Sequence, residues 1–88
     1  MNRERTLRLS EGVIAKTVGE ELVLLDYGAG VYYGLDAIGG RIWQLASEGK
    51  PLGAIVDTLL EEYDVTRETL EADVEALVGD LTERGLVR

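Results

Sequence analysis

"VYYGLDAIGGRIWQLASEG", residues 31–49, changes its period part-way along, and that change decides the fold. "VYYGL", 31–35, follows the glycine-rich turn "YGAG", 27–30, and is built from β-branched and aromatic residues, so it reads as a strand. From Asp36 onward the apolar residues Ile38, Ile42, Leu45 and Ala46 recur at helical spacing. Asp36 suits the N-cap and Gly49 the stop. Gly39 and Gly40 each cost about 1 kcal/mol inside a helix relative to alanine. Either they let the helix approach the sheet closely, or the helix begins after them. Trp43 lies one residue off the Ile42/Leu45 stripe and is expected in the core, over the sheet.

Working outward, "VIAKTV", 13–18, and "LVLLD", 22–26, read as two further strands joined by the turn "GEE", 19–21. Short turns between three strands imply an antiparallel meander. "LRL", 7–9, reads as a short extension near the first strand. Downstream, Pro51 fits the first position of a helix over 51–63 with the stripe Leu52, Ile55, Val56, Leu59, Leu60 and Tyr63. Thr66 caps a third helix over 67–84, with Leu70, Val74, Leu77, Val78 and Leu81 on one face, and Gly85 ends it. "LVR", 86–88, packs back or adds a short strand. The order β-β-β-α-α-α is an α+β arrangement, one domain over 1–88. It is the inventory of a winged helix-turn-helix with its three-stranded antiparallel sheet placed first.

Composition removes whole classes of function. The 88 residues include no cysteine and no histidine. Thiolate chemistry, most nucleophilic triads and most zinc sites are therefore excluded, and no cofactor is expected. "EEYD", 61–64, lacks the alternating ligands of a calcium loop, and "GAG" and "GG" lack the spacing and lysine of a phosphate loop. No run approaches the roughly 18 apolar residues of a membrane span, and the N-terminus does not read as a signal peptide, so a cytoplasmic location is the default expectation. The formal net charge is −8. In a winged helix the third helix would enter DNA, yet here it carries Glu68, Glu71, Asp73, Glu75, Asp80 and Glu83 against Arg67 and Arg84. That charge repels a phosphate backbone, so no nucleic-acid partner is expected.

The ordered set Leu24-Leu25-Asp26, Tyr33, Leu35-Asp36, Ile42-Trp43, Gly49, Tyr63, Asp73-Val74, Leu77, Leu81 and Gly85-Leu86 resembles the PqqD family over about residues 12–88. Most such sequences carry asparagine where this one has Asp36; both cap helices. The resemblance implies a non-catalytic module that binds the leader of a ribosomally made precursor peptide. It further implies presentation of that peptide to a processing enzyme. A stand-alone chain of this size is similar to the recognition protein of lasso-peptide systems, which works beside a transglutaminase-like cysteine leader peptidase. The alternatives are the pyrroloquinoline quinone peptide chaperone of a radical S-adenosylmethionine enzyme, or a winged-helix regulatory domain acting through protein contacts.

The family mode is strand addition at the third strand, in a groove against the third helix. The residues agree: that strand is an edge of the meander and carries none of the Lys, Pro or inward charges that blunt an edge. The expected peptide-binding residues are Val31, Tyr32, Tyr33, Gly34 and Leu35 on the strand and Leu70, Asp73, Val74 and Leu77 on the helix. Alternation puts Val31, Tyr33 and Leu35 on one face and Tyr32 and Gly34 on the other. Tyr33 is assigned to the structural face, leaving Tyr32 to border the groove. Glu75 is expected on a solvated face.

Overall fold

A computed structural model describes residues 1–88. Three strands, β1 (Val13–Val18), β2 (Glu21–Asp26) and β3 (Val31–Leu35), precede three helices, α1 (Ala37–Ser47), α2 (Leu52–Glu62) and α3 (Arg67–Glu83). The sheet is antiparallel in the order β1-β2-β3, so both β1 and β3 are edges. The architecture is the expected α+β, winged-helix-like one with the sheet first.

Local chemistry explains most boundaries. Gly19 takes φ +63° at the first position of the two-residue β1–β2 turn, the form of a type II′ hairpin. Asp36 Oδ1 accepts from Gly39 N at 2.8 Å and Thr66 Oγ1 accepts from Thr69 N at 3.2 Å, so both expected caps form. Gly49 and Gly85 follow α1 and α3 at φ +85° and +75°. The glycine pair lies inside α1 because of close approach: a Cβ on Gly40 would stand 3.3 Å from Leu22 Cβ.

Two segments differ from the sequence reading. Pro51 is the N-cap of α2, with ψ 159°, and not its first helical residue. It offers no side-chain cap, and the chain's N-terminal arm substitutes for one. Arg5 O accepts from Leu52 N at 2.8 Å and Arg3 O from Gly53 N at 2.9 Å, satisfying two of the amides a helix start leaves free. The Arg3 guanidinium then pairs with Asp57, which also meets Arg67; these two arginines hold the Asp57 carboxyl below its ordinary range. Residues 7–9 do not extend β1. Leu7 is buried among the helices, and Leu9 bridges Val87 in the C-terminal tail, where Ser10 N also donates to Leu86 O.

The core is in two parts. Leu7, Ile42, Leu45, Ala46, Leu52, Ile55, Val56, Leu59, Leu70, Val74 and Val78 fill the space between the helices. Leu24, Leu35, Trp43, Leu81, Leu86 and Val87 fill the space between the sheet, α1, the end of α3 and the tail. Trp43 is off the α1 stripe because it serves the second cluster while Ile42 and Leu45 serve the first. Arg41 clamps α1 to α2 through both Glu62 oxygens, at 2.9 and 2.7 Å.

Trp43→Ala should therefore lower unfolding stability by about 3–5 kcal/mol, the cost of emptying a buried aromatic site. Tyr27→Ala, at an exposed turn, should change it by less than about 0.5 kcal/mol. Urea denaturation followed by circular dichroism measures both.

Candidate functional site

The direction of each backbone group on β3 follows from the hairpins. The pair closing a two-residue hairpin is hydrogen-bonded, and bonded and non-bonded pairs then alternate. Val18↔Glu21 closes the first hairpin, so Glu21, Val23 and Leu25 turn their N–H and C=O toward β1. Leu22, Leu24 and Asp26 turn theirs toward β3, where they meet Leu35, Tyr33 and Val31. Tyr32 and Gly34 consequently point their backbone groups away from the sheet. No turn, loop or cap hydrogen bond uses either of them. The edge is open.

That edge borders a cleft of about 350 Å³ between β3, the start of α1 and α3. Its apolar lining is Leu35, Ile38, Ile42 and Leu77; its carboxylates are Asp36, Asp73 and Asp80. Tyr33 and Arg84 close one end. The Tyr33 hydroxyl donates to Asp80 Oδ2 at 3.3 Å, and the Arg84 guanidinium lies 4.8 Å from the centre of the Tyr33 ring. Burial, and next the adjacent Asp80 carboxylate, push the Tyr33 phenol above its ordinary value; Arg84 acts in the opposite sense. Asp73 is exposed and makes no ion pair or side-chain hydrogen bond within the chain, whereas Asp36 is occupied by its cap. Asp73, Leu77 and Asp80 share one stripe of α3, at i, i+4 and i+7. Seven residues of helix rise give the cleft about 10 Å of length.

Of the nine residues expected from sequence, Tyr33, Gly34, Leu35, Asp73 and Leu77 line this cleft. Val31 shares the inner face of the sheet but packs on the second cluster. Leu70 and Val74 are 1% and 0% exposed among the helices, so they are core and form no groove wall. Tyr33 lies on the inner face as expected, packed against the second cluster, and it also lines the cleft; the Tyr32 side chain stands on the opposite face. Glu75 is not free, because the Met1 ammonium pairs with it at 3.1 Å. Asp36, Ile38, Gly39, Ile42 and Asp80 were not foreseen. The spacing of Asp73, Leu77 and Asp80 was the available signal for the last.

The profile of the family described as Coenzyme PQQ synthesis protein D (PqqD) matches residues 21–87. This chain belongs to the PqqD family. Two solved structures of the family's kind are similar to it. TbiB1, solved in complex with the TbiA(beta) leader peptide, is 40% identical with a TM-score of 0.85 over 92% of this chain and 94% of that one. A lasso peptide synthetase B1 complexed with its leader peptide is 30% identical with a TM-score of 0.86 over 96% and 99%. No curated protein sequence matches. No helix of this PqqD-family chain is long and apolar enough to cross a membrane.

The clamp across the cleft can be read by alkaline titration. The difference between wild type and Tyr33→Phe should titrate above the ordinary tyrosine value of about 10. Asp80→Asn removes a charge that disfavours phenolate, so it should bring that midpoint down. Ultraviolet absorbance of the phenolate measures both.

Proposed function

We propose that this chain is a non-catalytic leader-recognition protein of a lasso-peptide system. It captures the leader of a ribosomally made precursor by strand addition to β3, in the cleft against α3, and delivers it to a processing enzyme. The observation that carries this reading is the open edge: Tyr32 and Gly34 offer backbone donors and acceptors directly beside an apolar, acid-rimmed cleft. Main-chain pairing supplies affinity in such a mode, and alternate side chains dropping into the cleft supply specificity. A strand rises about 3.3 Å per residue, so a cleft about 10 Å long receives two inward side chains, at i and i+2. Leu77 and Ile38 suit an apolar one; the unpaired Asp73 suits a cationic one.

Two similar structures hold leader peptides, which supports the same occupant here. The 30% identity to a lasso peptide synthetase B1, over 96% of this chain and 99% of that one, favours the lasso setting over a chaperone of pyrroloquinoline quinone synthesis. The enzyme served is then a transglutaminase-like cysteine leader peptidase. With no histidine or cysteine, the chain's contribution is effective concentration and not chemistry. Its working location is the cytoplasm, where precursor peptides are made. The proposed contacts are the backbones of Tyr32 and Gly34 and the side chains of Tyr33, Leu35, Ile38, Asp73 and Leu77.

Titration with a labelled cognate leader of about 10–15 residues should give a dissociation constant between about 10 nM and 10 μM, as expected of a small interface with coupled ordering. Hydrogen exchange should then show new protection at the Tyr32 and Gly34 amides, with little change at Val31, Tyr33 and Leu35, which already pair with β2. Protection at Val13, Ala15 and Thr17 instead would move the site to the β1 edge. Tyr32→Pro and Gly34→Pro each delete an outward donor and should abolish binding while circular dichroism stays native.

Charge gives an independent check. Asp73→Ala should weaken leader binding by about 1–3 kcal/mol through loss of a charge-assisted contact. Glu68→Ala, at the exposed start of α3, should change it little. Equal effects of the two substitutions in isothermal titration would remove Asp73 from the site.

A further inference from the structure

The α3 helix has a front and a back. Asp73, Leu77 and Asp80 face the cleft. At about 100° per residue, Glu71, Val78 and Thr82 lie about 130–170° round from the middle of that stripe. The N-terminal arm runs along this back. Arg3 meets Glu71 of α3 at 3.9 Å and Asp57 of α2 at 2.8 Å, and Asp57 in turn meets Arg67, at the start of α3, at 3.1 Å. Four charges of alternating sign thus join arm, α2 and α3. A network of this kind counts for more than an isolated exposed pair.

The seat of Arg3 is built into α2. A Cβ on Gly53 would stand 2.9 Å from both Cβ and Cζ of Arg3, closer than packed atoms allow. Gly53 is buried in the first turn of α2, where glycine is less favourable than alanine. Arg3 O accepts from Gly53 N at 2.9 Å, and Arg3 Nη2 donates to Gly53 O at 3.4 Å. The bare position lets the arm lie flat on the helix.

The need for support behind α3 follows from how the helix is held. Leu70, Val74 and Val78 pack it on α2, and Leu81 ties its far end to the cluster under the sheet. Apolar packing between helices permits small sliding. Between Asn2, Arg5, Val78 and Thr82 lies a hollow of about 560 Å³, so a backward tilt of α3 meets little packed matter. Glu71 and Arg67 stand about 15 and 21 Å along the axis from Leu81, at the free end of that lever. Directional contacts placed there oppose the tilt most effectively. Asp73 and Leu77 lie between the tied end and the pivot, and a peptide seated in the cleft presses on them from the front.

We propose that the N-terminal arm is the back-stop of the cleft and that Arg3 is a positioning residue for leader recognition: seated on Gly53, it holds the first half of α3 so that Asp73 and Leu77 stand at a set distance from β3. This rests on the reading of the cleft as the leader site. Arg3 lies on the far side of α3 from the peptide and acts through the wall that the peptide meets. A wall arranged in advance lowers the ordering cost of binding.

Arg3→Ala removes the guanidinium, and Gly53→Ala fills its seat. Each should weaken binding of the labelled cognate leader at least about fivefold, with circular dichroism native, while Arg41→Ala, which breaks the comparable α1–α2 pair with Glu62, stays within about twofold. Should Gly53→Ala not fold, Arg3→Ala decides alone. The sign is informative. Asp73 suits a cationic side chain, and removing a cation from a chain of net charge −8 favours such a peptide at long range, so a loss runs against that effect. Position is read in the free protein. The chain has no cysteine, so spin labels at Tyr32→Cys and Glu68→Cys report the β3–α3 distance by double electron–electron resonance. The distance distribution should broaden with Arg3→Ala and with Gly53→Ala, and Arg3→Lys, which keeps the charge, should narrow it again. Unchanged distributions would overturn the back-stop, whatever the affinities. Wild-type affinity in both variants would overturn its bearing on recognition, and an equal loss in Arg41→Ala would reduce the effect to general stability and overturn it too. If wild type binds no leader, the positioning role falls with the reading beneath it, and the distributions still decide whether the arm holds α3.

Discussion

One helix is shared between two cores, and the rest of the molecule is arranged around that sharing. Ile42 and Leu45 of α1 complete the cluster between the helices, while Trp43 completes the cluster under the sheet. A helix can do this because adjacent residues project about 100° apart. The glycine pair lets α1 lie against Leu22 and Leu35. Without that close approach the sheet would be a three-stranded ribbon with no base, which is marginal in water.

The cleft lies where β3 and α3, joined below it through Leu24, Leu35 and Leu81 of the second cluster, stand apart. β3 packs on α1 and on the second cluster; α3 packs chiefly on α2. Across its mouth the two flanks are bridged at one end, by the side chains of Tyr33, Asp80 and Arg84. Core formation therefore leaves a strand edge and a helix flank facing one another across a gap. The acids on α3 that forbid a phosphate backbone also keep this gap from collapsing onto further anionic surface. The edge itself carries no charge to discourage pairing. A sheet edge of that kind is ordinarily a hazard, and here it lies where one helix limits what can approach it.

Much of this was legible in the sequence, for local reasons. Asp36, Thr66, Gly49 and Gly85 act within three or four residues of themselves, so their identities announce the helix ends. The alternation of Val31, Tyr33 and Leu35 against Tyr32 and Gly34 was equally local. What failed was assignment to neighbours. An amphipathic stripe gives the direction of burial and not the identity of what lies opposite, so Leu70 and Val74 looked as suitable for a groove as Leu77. Which side of the sheet carries the cleft is likewise a tertiary fact, and it puts Tyr33, read as a structural residue, in the lining as well. The arm that caps α2 left no trace at all. It acts through the carbonyls of Arg3 and Arg5, and every residue has a carbonyl.

The seam between Leu9–Ser10 and Leu86–Val87 joins segments from opposite ends of the chain. Contacts of such long sequence separation are the slowest to find, because the loop between them must close first. The hairpins and helices are built from near neighbours and can form ahead of it. Loop closure therefore predicts that the seam forms late in folding and opens early. A weakened seam hastens opening and leaves the pace of folding nearly alone. Neither segment of that seam contributes a residue to the lining of the cleft, so resistance to opening can be tuned there without altering the cleft's own side chains.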